Sequence, residues 1–165
     1  MAEDRDERHK RQLNELLQEA RIAMPGVQIL FGFLLAVTFQ QRFGETTPFQ
    51  KDVYAVALLL SAATTICFIA PAAYHRIQFE RHDKPHLIHI ANRFLVAGLV
   101  FLALAMSAAT LLVLDFLFRE ETAIVLTSAL GAAYAWFWFG YPLSRRLRGE
   151  RSNLPDAERG DDSDD

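Results

Sequence analysis

The sequence predicts an all-α integral membrane protein, a bundle of four transmembrane helices preceded by an amphipathic N-terminal helix. Three observations carry this. First, marking every Asp, Glu, Lys and Arg of the 165-residue chain leaves four long uncharged runs, 22–41, 53–75, 94–114 and 122–144. The shortest holds 20 residues, about 30 Å of helix at about 1.5 Å per residue, which matches a bilayer's hydrocarbon core. A core helix of a soluble protein must show one side to water and rarely stays uncharged on every face for so long. Second, the cations are segregated: 14 of the 17 Lys and Arg lie before the first run, between the second and third, or after the fourth. Third, the connections between runs one and two and between runs three and four are short, which forces neighbouring helices antiparallel.

Taken in chain order, residues 1–24 read as a cytoplasmic amphipathic helix. Leu13, Leu16, Leu17 and Ala20 fall at i, i+3, i+4 and i+7, one face of an α-helix. Pro25-Gly26 then reads as a break, with the first helix lying under the bilayer as an interfacial entry to the first span. Docking of a partner on this helix is the alternative. Its charges nearly balance, so attraction to anionic lipid is expected to be weak. The transmembrane domain, 25–144, has spans expected at about 25–42, 53–75, 94–114 and 122–143. Pro71 is expected to kink the second span. The fourth ends in YAWFWFGYP followed by Arg145, Arg146 and Arg148, an aromatic belt beside cations. Residues 145–165 read as a disordered, acidic cytoplasmic tail with too little apolar surface to fold.

The cation asymmetry puts both termini in the cytoplasm and the chain in a plasma (inner) membrane. The polar N-terminal segment and the length of the first run argue against a cleaved signal peptide. The single cysteine, Cys67, cannot form an internal disulfide and reads as a small residue in a helix interface. A net charge of −3 implies no nucleic-acid partner.

Two groups of residues invite chemistry. His75, His82, His86 and His89 cluster at the cytoplasmic connection, where imidazoles titrate near neutral pH and form an interfacial pH-responsive patch. Metal binding there is the sharper and weaker reading, and no cofactor is called for. The second group is a small-and-polar stripe on each span: Gln28, Gly32, Ala36 and Gln40; Ala57, Ser61 and Thr65; Ala103, Ser107 and Thr110; Thr127, Gly131 and Ala135. In lipid, helices associate through close packing at small residues and through hydrogen bonds between polar ones. The glutamines are therefore expected to face the bundle axis as glue. The alternative makes Gln28, Gln40, Ser61, Thr65 and Ser107 the lining of a polar route through a small cation or proton transporter or channel. Proton-coupled transport ordinarily uses an ionisable residue within the membrane, and none of the four runs holds an Asp, Glu, Lys or Arg. No nucleophile, acid–base pair or metal set stands out, so no enzymatic activity is expected. The expected partners are the lipid bilayer, a second copy of the chain in a homo-oligomer, or another membrane protein.

The segments RQLNELLQEARIAMPGVQILFGFLLAVTFQQRF, FQKDVY, APAAYHRI and DKPHLIHIANR resemble an uncharacterised family of small four-span integral-membrane proteins from high-GC bacterial genomes. The resemblance covers roughly residues 11–146. It implies no established activity, although some members carry an automatic sodium:proton antiporter label. It also implies frequent arginine at the positions matching His86 and His89, which points to simple interfacial basicity. The four-span plan is similar in topology to small multidrug exporters, but those rely on a membrane-embedded glutamate where this chain offers Gln28.

Overall fold

A computed structural model describes residues 2–77 and 84–145. They form four long helices: α1 (Ala2–Val37), α2 (Pro48–Ile77), α3 (Lys84–Leu117) and α4 (Glu120–Ala135), the last continuing through a π-helical turn at Trp136–Gly140. A 3₁₀ turn at Gln41–Glu45 links α1 to α2. The architecture is an all-α four-helix bundle. Each helix holds a stretch long and apolar enough to cross a membrane: Asn14–Val37, Pro48–Tyr74, Ile90–Leu117 and Glu120–Arg145.

Three of the helices pack along seams whose residues alternate three and four apart. On α1 the seam runs Leu16, Ala20, Ala23, Val27, Leu30, Leu34. On α2 it runs Tyr54, Ala57, Ser61, Thr64, Phe68, Pro71, and on α3 Ala91, Gly98, Ala105 and Leu112 recur every seven residues with Leu95 between them. An average step of 3.5 residues keeps one stripe against its neighbours as the helices coil slowly round each other. Two clusters result. Ala20, Val27, Phe68 and Leu95 fill one half of the bundle; Leu34, Tyr54, Ala57 and Leu112 fill the other.

The break expected at Pro25-Gly26 is absent, and α1 passes through Pro25 without interruption. Pro25 and Gly26 lie on the exposed side of α1, opposite the seam. The proline therefore forfeits one main-chain hydrogen bond, to the Arg21 carbonyl, where no packing depends on it. The seam stays in phase across it. The amphipathic stretch around Leu16 and Ala20 is accordingly the continuation of the first span, packed on α2 and α3, and not a separate helix lying across its end. α2 likewise continues through Pro71, which is fully buried.

α2 and α3 form the central pair, and Gly98 lies in close contact across it. A Cβ there would stand 2.5 Å from Cε1 of Phe68 and 3.2 Å from Cβ of Cys67. Cys67 is a free, buried thiol in this contact, the interface role its isolation in the sequence suggests. α1 lies in the groove between α2 and α3. Among the described residues α4 packs mainly on α3. Its buried residue is Ala123, and Gly131 places its backbone beside Ser107, whose Oγ would lie 3.7 Å from an added Cβ. Further along α4, the rings of Tyr134 and Trp138 stand 5.2 Å apart, and the Arg145 guanidinium lies 5.8 Å from the centroid of Tyr141. The aromatic run thus pairs within itself and with the cation that follows it.

Candidate functional site

The polar stripes divide into two kinds. In α2 and α3 the hydroxyls turn back onto their own helix. Ser61 donates to the Leu58 carbonyl (2.8 Å), Thr65 to Ser61 (3.1 Å), Ser107 to Ala103 (2.8 Å) and Thr110 to Met106 (2.8 Å). Thr64, absent from the stripe as read from sequence but fully buried, donates to Leu60 (2.8 Å). Such back-bonding satisfies each hydroxyl without reaching a neighbour. These residues permit close packing by being small; they do not bond one helix to the next. Thr127 on α4 is the exception, its buried Oγ1 having no partner among the described residues.

Gln28 and Gln40 do not face the bundle axis. Both are exposed, as are Gly32 and Ala36 between them. The reason is periodic. A helix turns about 100° per residue, so a strict four-residue step advances about 40° each time and drifts off the buried seam. Gly32 has open space within 4 Å of where a Cβ would stand.

Side-chain bonds between helices concentrate instead where α1 ends, α2 begins and α3 ends. Gln50 and Thr47 form a reciprocal cap on α2. Thr47 N–H donates to Oε1 of Gln50 (3.0 Å), and Gln50 N–H donates to Oγ1 of Thr47 (3.2 Å). Pro48, between them, occupies the first helical position, where no N–H is needed. Nε2 of Gln50, still free, donates to Oδ2 of Asp115 on α3 at 2.7 Å. Gln50 is buried and Asp115 half-buried, so the bond is partly shielded and one partner is charged, both of which strengthen it. One turn further along α2, the Tyr54 hydroxyl donates to the Leu34 carbonyl at the end of α1 (2.9 Å). The Tyr54 ring meets Phe43 edge-on at 5.1 Å.

The remaining terminal carbonyls of α1 are taken up in turn. Leu35 accepts from the Thr38 hydroxyl (2.7 Å), Ala36 from Phe39 N–H (3.2 Å) and Val37 from Gln40 N–H (3.1 Å). A helix end left without such partners is costly wherever water is scarce. The signal for this clasp was present as Thr-Pro-Phe-Gln, a capping box with proline at its first turn. Its link to Asp115 was not, because 65 residues separate the pair.

Of the histidines, His82 lies outside the described residues, and for His75, His86 and His89 only the helical backbone is described. Apart from Arg145, the acidic tail is outside them as well. At the end opposite the clasp, Arg93 and Arg145 are both exposed. Each is fourteen residues from the Ser107–Gly131 contact, which levels them about 21 Å away along antiparallel helices.

The arrangement is therefore a helix bundle with the hydroxyls of α2 and α3 engaged locally, the buried Thr127 hydroxyl of α4 without a partner among the described residues, a hydrogen-bonded clasp at one end and arginines at the other. No curated protein and no solved structure matches the chain. A family model does, over residues 2–142, and the chain belongs to that family, DUF6328, a family of unknown function.

Proposed function

We propose that this is a multi-pass inner-membrane protein, without enzymatic activity, that acts by associating with itself or with another membrane protein. The observation that carries this reading is where the free hydrogen-bonding capacity lies. Ser61, Thr65 and Ser107 are bonded to their own helices, whereas Gln28 and Gln40 are turned outward. A route for ions needs polar groups free to replace water inside the bundle. An associating protein needs them on its outer faces.

Ion flux tests it directly. Purified protein in proteoliposomes, loaded with a pH dye and given imposed H⁺, Na⁺ or K⁺ gradients, is expected to leak no faster than empty liposomes. Flux above that background, altered by Ser61→Ala or Gln28→Leu, would overturn the proposal in favour of a small cation or proton transporter.

The charge distribution supports an orientation with both termini in the cytoplasm and the clasp at the periplasmic side. A periplasm-active reporter fused after Glu121 is expected to be active, and one fused after Arg76 inactive. The reverse pattern would invert the topology.

A further inference from the structure

We infer that the mouth of the α3–α4 seam, at the end opposite the clasp, is a binding site for an acidic phospholipid whose headgroup lies beside Arg93 and Arg145. The inference is separate from the association reading, and either can fail without the other. α3 and α4 run antiparallel, and Ser107 stands beside Gly131 where their backbones approach. Arg93 and Arg145 each lie fourteen residues from that contact, so they reach one level on neighbouring helices, whose axes in such packing stand about 8–10 Å apart. Both are exposed, and the Arg145 guanidinium lies over the Tyr141 ring, 5.8 Å from its centroid. A guanidinium steadied by an aromatic ring keeps N–H groups free for an anion. Neither helix supplies one at this end: the carboxylates of α3 and α4, Asp115, Glu120 and Glu121, are all at the clasp. Glu15 and Glu19 share the arginine end, but on α1 and in the company of Arg11 and Arg21.

Two features make the anion a lipid's. The first is depth. Arg93 is twenty-two residues from Asp115 along α3, about 33 Å of helix, close to the thickness of a hydrocarbon core. With the clasp at one surface, the two arginines stand at the phosphate level of the other. The second is the apolar surface between those levels. Taking every seventh residue of α3 gives Arg93, Val100, Ser107 and Leu114, of which the first two are exposed and the last two half-buried. Along α4, Ala123 is buried, Thr127, Gly131 and Trp138 are half-buried, and Tyr141 and Arg145 are exposed. The seam is covered toward the clasp and uncovered toward the arginines, where Val96, Val100 and Trp138 leave apolar surface for an acyl chain. A headgroup with no cation of its own leaves the phosphate charge for arginine's planar fork to meet, and basic clefts between spanning helices hold such lipids. Exposed Asn92, next to Arg93, adds an uncharged donor at the same mouth.

Tryptophan fluorescence in lipid nanodiscs tests this. The chain's two tryptophans, Trp136 and Trp138, lie nine and seven residues from Arg145, within reach of bromine carried on an acyl chain bound in the seam. In phosphatidylcholine discs, brominated phosphatidylglycerol as a minor component is expected to bind about tenfold or more tightly than brominated phosphatidylcholine at the same fraction. Arg93→Gln or Arg145→Gln is expected to lower that preference about fivefold, the effect of one cation beside an anionic headgroup. Both positions are exposed, so the helical circular dichroism should not change. Arg21→Gln and Arg76→Gln, exposed at the same end of α1 and α2, should change it less than about twofold, because charges beyond a Debye length of about 8–10 Å are largely screened. Equal loss at all four arginines would overturn the site in favour of a diffuse positive end, and equal quenching by the two lipids would overturn it outright. Displacement of the brominated lipid by millimolar inorganic phosphate would overturn the lipid and make a free anion the occupant. The chain's own residues 149–165 carry seven carboxylates. A preference seen only after these are replaced by amides would also overturn the lipid and make that tail the occupant.

Discussion

Replacing Gly98 with alanine should destabilise the fold by about 2 kcal/mol, the cost typical of forcing extra carbon into a packed core. Helix propensity alone predicts the opposite, since alanine is favoured over glycine in a helix interior by about 1 kcal/mol. Packing wins here because the new methyl would stand 2.5 Å from the Phe68 ring and 3.2 Å from Cβ of Cys67. Phe68 is itself buried, at 3% exposure, between α1 and α3. A ring held on both sides cannot swing away as the end of an exposed chain would. The measurement is the unfolding equilibrium in mixed micelles, followed by helical circular dichroism. Shrinking the obstacle should recover the loss: Gly98→Ala combined with Phe68→Leu is expected to cost less than the sum of the single changes. An alanine at 98 that raised stability would show that α2 and α3 do not meet at this crossing. Gly131→Ala on α4 is the internal comparison. Its added Cβ would find Ser107 Oγ at 3.7 Å, ordinary contact, so the propensity gain should dominate there.

The four runs of the bundle were legible because charge is excluded from hydrocarbon on every face, a rule that needs no knowledge of neighbours. The seams were less so. Gln28, Gly32, Ala36 and Gln40 stand out by eye as a four-residue repeat, but helices that pack along their length need a mean step nearer 3.5. Ala91, Gly98, Ala105 and Leu112 hold that step and are inconspicuous within an apolar run, where the residues beside them are equally hydrophobic. In water, burial sorts apolar from polar; in lipid it sorts small from large, a weaker signal in one sequence. Pro25 misled for a related reason. Proline marks a helix boundary when water competes for the freed carbonyl, whereas a helix held by its neighbours on the opposite face can pass through it. The clasp shows the third limit. Thr47 and Gln50 announce a helix start by their spacing, but Gln50 Nε2 meeting Asp115 Oδ2 depends on the antiparallel register of α2 and α3, which no local pattern encodes.

That clasp makes Gln50 the residue whose replacement should be felt most beyond the α2–α3 crossing. Gln50→Leu removes two things at once: the acceptor for Thr47 N–H and the donor to Asp115. Losing a cap costs about 1 kcal/mol, and a hydrogen bond to a charged group about 1.5–3 kcal/mol. The expected destabilisation is therefore about 3 kcal/mol, with Asp115 left half-buried and without its donor. Two further variants separate the contributions. Thr47→Ala should cost about 1 kcal/mol, because it weakens the cap and leaves the interhelical bond intact. Gln50→Glu keeps an acceptor for Thr47 N–H but sets a carboxyl where an amide donated, against Asp115 at hydrogen-bonding distance. Two adjacent carboxyl groups repel and neither supplies the lost amide donor, so this variant is expected to be less stable than the native chain at neutral pH. If Gln50→Glu were as stable as the native chain at neutral pH, or if Gln50→Leu and Thr47→Ala cost the same, the bond to Asp115 would hold nothing together. The cap would then be the whole of the clasp.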